Sequence, residues 1–158
     1  LARAAGATTF VDMGTGAVNA LRDRLIGLVR KVDYLLMNER ELFALTGCDT
    51  ISEAVVGLAS RGIDRLIVKV GEMGSIVITP EASELVDPFE IEGVLDTTGA
   101  GDYFTAAFAH AIVGGADLVA AARAGNVAGA LNTTEVGAQR RIVELASLER
   151  EARLLALR

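Results

Sequence analysis

The chain has 158 residues, of which 51% are apolar, enough to bury the core of one ordinary domain. Fifteen basic and 21 acidic residues give a net charge of −6 with no basic run, which argues against nucleic-acid binding. No apolar run reaches the ~18 residues of a membrane span. The lone Cys48 leaves no internal disulfide, which suits a reducing cytoplasm.

Taken in chain order, residues 1–6 read like the end of a helix, so the chain is expected to begin inside a larger protein. Residues 7–13 are β-branched and apolar and predict a buried strand. Residues 14–16 predict a turn. Residues 18–32 predict a helix, with Leu21, Leu25, Leu28 and Val29 at helical spacing. A second strand over 33–37 leads into a short helix over 38–45, closed by Gly47. Ser52 is the expected N-cap of a helix to Ser60, ended by Gly62. Residues 65–70 predict a third strand, 71–74 a turn and 75–79 a fourth strand. The short Gly turn predicts a hairpin, hence one mixed edge of the sheet. Residues 84–95 predict two extended pieces around Pro88. A helix over 99–113 is stopped by Gly114 and Gly115. Asp117 caps the next helix, which reaches Leu131, and a last helix is expected over 142–155 with Leu145, Leu148, Leu154 and Leu155 near one side. Strands alternating with helices predict βα units, a largely parallel sheet and helices on both faces.

The segment from Asp96 to Phe108 carries the strongest chemical signal. Gly99, Ala100 and Gly101 lie where a loop becomes a helix. The first N–H groups of a helix have no internal partner and sit at the positive end of its dipole. Small side chains let an anion approach them. A carboxylate at Asp102 would repel a phosphate that was merely held there, but it suits a base for a substrate hydroxyl. A glycine turn with Asp102 as a dipole-favoured first-turn residue is the plainer alternative, and the spacing alone leaves both open.

The segment resembles the C-terminal signature of the ribokinase-like (PfkB) carbohydrate kinase family, through Asp96, Thr97, Gly99, Ala100, Gly101, Asp102, Ala106 and Ala107. The resemblance implies Asp102 as catalytic base and the N–H groups of Gly99, Ala100 and Gly101 as the anion hole, with Gly101 also against the nucleotide. Asn38-Glu39-Arg40-Glu41 is similar to the family's N-x-x-E motif, which implies nucleotide binding at Asn38 and Mg²⁺ binding at Glu41. The same four residues also read as a helix start, with Asn as N-cap and Glu favoured by the dipole. The run Lys69 to Gly74 looks like the nucleotide-contacting turn, with Lys69, Gly71 and Gly74 against ATP, or else a plain hairpin turn. Asn126 falls where family members place an Asn near the adenine, or else is a polar residue on a small-residue packing face. A K⁺ site is implied by Asp96 and Thr98 on one side and Asn132, Glu135 and Gly137 on the other. The sequence departs from K⁺-dependent relatives at Arg141, where those often carry Ser.

Other motifs fail. Gly14 to Asn19 begins like G-x-G-x-x-G but has Asn in the third glycine place, and there is no P-loop. His110 sits mid-helix among alanines and reads as packing or surface. The resemblance implies a three-layer α/β/α fold with a mostly parallel sheet. Residues 1–158 would then be the C-terminal, nucleotide-binding and catalytic part of a single ribokinase-like domain, without its N-terminal strands and β lid. It implies ATP-dependent phosphorylation of a hydroxyl on a sugar or sugar-like substrate, with ATP, Mg²⁺ and in many members K⁺. A nucleoside substrate and a non-catalytic nucleotide-binding fragment are the alternatives. The parent is expected to be a cytoplasmic homodimer with no nucleic-acid or membrane partner.

Overall fold

The computed structural model describes residues 2–63, 65–139, 143–144, 146–148 and 150–151. Its elements are β1 (Phe10–Asp12), α1 (Thr15–Val29), β2 (Tyr34–Asn38), α2 (Glu39–Thr46), α3 (Ile51–Ala59), β3 (Leu66–Lys69), β4 (Ser75–Ile78), β5 (Ser83–Val86), α4 (Ala100–Val113) and α5 (Leu118–Asn132). The five strands form one sheet in the order β1-β2-β3-β4-β5. β1, β2 and β3 run parallel, with Val11 opposite Leu35 and Leu36 opposite Ile67. Residues 70–74 join β3 to β4 and residues 79–82 join β4 to β5. Connections that short fit only antiparallel neighbours, so the sheet is mixed as the hairpin signal predicted.

The chain divides into two compact units. The first comprises Leu1–Gly71 and Ile76–Glu84. Leu35, Leu36 and Met37 are all buried, as in a parallel strand covered on both faces. Leu35 and Met37, with Leu66 and Val68, share a core with Val18 and Val29 of α1, Leu42 and Leu45 of α2, and Ala54 and Leu58 of α3. Each such buried Leu contributes roughly 1.5–3 kcal/mol over an exposed one.

The second unit comprises Glu72–Ser75 and Leu85–Arg158. Here α4 packs on α5 through small residues. A Cβ at Gly125 would lie 2.8 Å from the Phe104 ring, and one at Gly129 would lie 3.0 Å from the Ala100 carbonyl. Ala107, Ala124, Val127, Ala128 and Leu148 form the associated core.

Several expected boundaries move: β1 is Phe10–Asp12, inside the expected 7–13, and α1 ends at Val29, short of the expected 32. Three further differences have a local reason. Helix α1 begins at Thr15 and not after a 14–16 turn, because an extended Gly14 serves as its N-cap and its carbonyl takes the N–H groups of Ala17 and Val18. Thr50, not Ser52, caps α3: its hydroxyl accepts from the Glu53 N–H at 3.2 Å and donates to the Glu53 carboxylate at 2.9 Å. The Ser/Thr-x-x-Glu spacing of a capping box is met at Thr50 and Glu53. Of the two extended pieces expected over 84–95, only β5 forms, and residues 87–95 carry no regular structure. The Val86 and Asp87 carbonyls are occupied by the Asn126 amide, and Pro88 brings no N–H to a ladder. The last expected helix is seen at 146–148 and 150–151, while Arg141, Ile142, Leu145, Leu154 and Leu155 lie outside the described residues.

Candidate active site

Asp12, Asn38 and Lys69 end β1, β2 and β3. They stand at the carboxyl edge of the parallel strands, where open α/β sheets bind ligands. Asn38 caps α2: its Oδ1 accepts from the Glu41 N–H, and its own N–H donates to Glu41 Oε2, both at 2.9 Å. The Thr15 hydroxyl donates to Glu41 Oε1 at 3.2 Å. Glu41 is only 5% exposed, and both its carboxylate oxygens are engaged. The helix-start reading of N-x-x-E is therefore realised in full. Among the described residues no three His, Cys, Asp or Glu side chains cluster as a metal site.

Lys69 Nζ lies 2.7 Å from both carboxylate oxygens of Asp12. Sequence reasoning missed Asp12 and Thr15 as members of this edge. The only local signal was a strand-ending Asp followed by a Gly-capped helix. Gly71 has φ 63° and open space where a side chain would stand, so only its backbone conformation calls for glycine.

In the second unit, Gly74 has φ 89° and a Cβ there would lie 2.8 Å from the Pro88 nitrogen, so close packing also requires it. Gly99 is the N-cap of α4, in the left-handed region at φ 83° and ψ −7°. The Ala100 N–H closes a turn onto the Thr97 carbonyl at 3.2 Å, and the Tyr103 N–H reaches the Gly99 carbonyl at 3.0 Å. Of the three expected anion donors, Ala100 is thus engaged. The N–H groups of Gly99 and Gly101 donate to no described residue, and that of Asp102 joins them. Asp102 lies in the first turn of α4, is exposed, and accepts no hydrogen bond from any described residue.

Beneath this turn, residues 95–99 are tied to the loop after α5. Asp96 Oδ1 accepts from the Thr98 hydroxyl at 2.6 Å and the Thr98 N–H at 2.9 Å, while Oδ2 accepts from the Gly137 N–H at 2.9 Å. The Thr98 hydroxyl first, then the two N–H groups, hold the Asp96 carboxyl below its ordinary range. The Thr133 carbonyl accepts from the Leu95 and Asp96 N–H groups. Asn132 Nδ2 donates to the Thr98 carbonyl at 2.9 Å, while its Oδ1 is buried with no partner among the described residues. Glu135 is exposed in the same loop. Asn126, expected near an adenine, is buried and spends its amide hydrogens on the Val86 and Asp87 carbonyls, at 3.1 and 2.8 Å. Each unit therefore assembles its own half of the expected set: Asn38, Glu41 and Lys69 in one, and Asp96, Thr98, Gly99 to Asp102, Asn132 and Gly137 in the other.

The sequence profile of "pfkB family carbohydrate kinase" matches residues 2–144. The deoxyribokinase of Salmonella typhi is 35% identical over 125 residues, covering 76% of this chain and 40% of that protein. A solved Escherichia coli protein, provisionally named ribokinase II and bound to ATP and Mg²⁺, is similar with a TM-score of 0.83 at 26% identity, over 96% of this chain and 50% of its own. The adenosine kinase of Sinorhizobium meliloti also has a TM-score of 0.83, at 28% identity, over 96% of this chain and 46% of its own. The chain thus spans between 40% and 50% of these proteins' lengths. With its mostly parallel sheet and flanking helices, it has the ribokinase-like fold and belongs to the pfkB family of carbohydrate kinases.

Proposed function

We propose that the protein carrying this chain transfers the γ-phosphoryl group of ATP to a hydroxyl of a sugar or sugar-like substrate, with Asp102 as general base. The observation that carries the reading is the exposed, unpartnered carboxylate of Asp102 in the first turn of α4, beside the free N–H groups of Gly99 and Gly101. In this reading the Asp102 carboxylate takes the proton of the substrate hydroxyl. That oxygen bonds to the γ-phosphorus as the bond to the bridging oxygen breaks, and ADP leaves. The free N–H groups and the dipole of α4 meet the charge on the transferring phosphoryl group.

Mg²⁺, when bound, would neutralise phosphate charge. Glu41 suits an outer role, through water, because both its oxygens already accept hydrogen bonds. K⁺ would be held by Asp96, Thr98 and the 132–137 loop, a reading supported by Asn132, whose Nδ2 bonds the Thr98 carbonyl and whose buried Oδ1 accepts from no described residue. Lys69, Gly71 and Gly74 belong to the nucleotide side of the reading. Among the described residues no single helix is long and apolar enough to cross a membrane, and Cys48 is a free thiol.

The resemblance to a deoxyribokinase supports a sugar as substrate. The equal TM-score of an adenosine kinase makes a nucleoside the second class to assay. The test is phosphorylation over a panel of sugars and nucleosides, beside calorimetry with Mg·ATP. Asp102→Asn in the full-length protein is expected to lower kcat by roughly 10²-fold or more. ATP affinity and thermal stability should stay near wild type, since the side chain makes no hydrogen bond or ion pair with any described residue. Near-normal turnover in this variant sinks the mechanism. Nucleotide binding without turnover of any panel member favours a non-catalytic nucleotide-binding role.

A further inference from the structure

We infer that Asp12 is a positioning residue for Lys69, fixing its ammonium where a nucleotide phosphate would meet the carboxyl edge of the sheet; this rests on the nucleotide reading above. Asp12 stands opposite Leu36, and Leu36 opposite Ile67. Lys69 lies two residues beyond Ile67, so Asp12 and Lys69 share one face of the sheet. Their strands are separated by β2, which puts their backbones nearly 10 Å apart at ~4.8 Å per strand. Lys69 crosses the end of β2 to close that gap and meets both Asp12 oxygens at 2.7 Å. Both side chains are largely shielded, at 14% and 23% exposure.

The geometry leaves the ammonium poised and not consumed. An ammonium has three N–H donors. Two are taken by Asp12, and Lys69 has no other partner among the described residues. A free lysine is a compact charge on a flexible stem, and a ligand must order that stem on binding. Here the ordering is done beforehand by Asp12. The plain alternative is a tether that only ties the ends of β1 and β3.

Calorimetric titration of the chain with Mg·ATP and with ADP separates the two. The variants are Asp12→Ala, Asp12→Asn, Lys69→Met and the double Asp12→Ala/Lys69→Met, each with its thermal unfolding midpoint. Each of Asp12→Ala and Lys69→Met is expected to weaken nucleotide binding about tenfold or more. The double variant should lose no more than the worse single, because the two side chains act as one unit. Asp12→Asn, which keeps one acceptor for the ammonium, should recover part of the loss. The inference is overturned if Lys69→Met binds like wild type, if the two losses add, or if the double variant regains both stability and affinity. A wild-type chain that binds no nucleotide removes the nucleotide reading itself. That outcome is distinct from normal wild-type binding with unaffected variants.

Discussion

Gly99 is held in a conformation that side chains rarely adopt, and a Cβ there would lie 2.9 Å from the backbone of Ala138. Both constraints act together, because the turn that frees the first N–H groups of α4 is the same turn that lies on the 132–138 loop. Gly99→Ala is expected to cost about 1–3 kcal/mol, read by urea unfolding, and to weaken anion binding as the turn opens. Unchanged stability would show that the turn relaxes without strain. Asp102 lies three residues away yet carries no such burden, which is why its substitution separates chemistry from folding. The pair was legible because small residues before a helix-opening Asp report local geometry. Asp12 was not, because its contact with Lys69 spans 57 positions and depends on register across a third strand. Glu41 was legible only as an ambiguity: the spacing of N-x-x-E is also that of a capping box, and the structure displays the box.

At the scale of elements, capping and small-residue packing decide what forms. Thr50 with Glu53 and Asp117 with the Ala120 N–H start α3 and α5 as local side-chain chemistry dictates. Such signals lie within four residues, so the Asp117 cap and the Gly-closed end at Gly47 were readable, while at α3 the neighbouring Ser52 was read in place of Thr50. The irregular stretch over 87–95 was not readable, because Asn126 holds its entry from 39 and 40 positions away. The α4–α5 contact gives a paired test. A glycine-to-alanine change inside a helix gains about 1 kcal/mol from propensity alone. At Gly57 of α3 the new Cβ would meet only an Arg61 side-chain nitrogen at 3.7 Å, so Gly57→Ala is expected to stabilise. At Gly125 it would meet the buried Phe104 ring at 2.8 Å. Overpacking of that kind costs about 1–3 kcal/mol, enough to reverse the sign. Chemical unfolding of the two variants checks this, and stabilisation by Gly125→Ala would mean that the contact has slack.

For the whole molecule, net charge −6 and a sequence pI near 4.8 place the acid limb of stability among the carboxylates. Two of them, one in each unit, are held below the ordinary value of 3.8. For Asp33 the cause is first the Thr9 hydroxyl at 2.6 Å, then the Thr9 N–H at 2.8 Å, with Arg3 at 3.1 Å adding less. For Asp96 it is the Thr98 and Gly137 donors. A carboxyl whose folded value is depressed stabilises fully above its unfolded value, and that contribution is lost as pH falls through the folded one. Both contributions are therefore whole at neutral pH and decline as pH falls from 3.8 downward. Solvent screens both groups, which keeps the effect modest. Thermal unfolding of wild type and of Asp33→Asn/Asp96→Asn from neutral to acid pH reads it directly. The double variant should melt lower at neutral pH, and the two curves should converge once pH drops below 3.8. Curves that stay parallel into acid would mean that these two carboxylates do not set the acid limb.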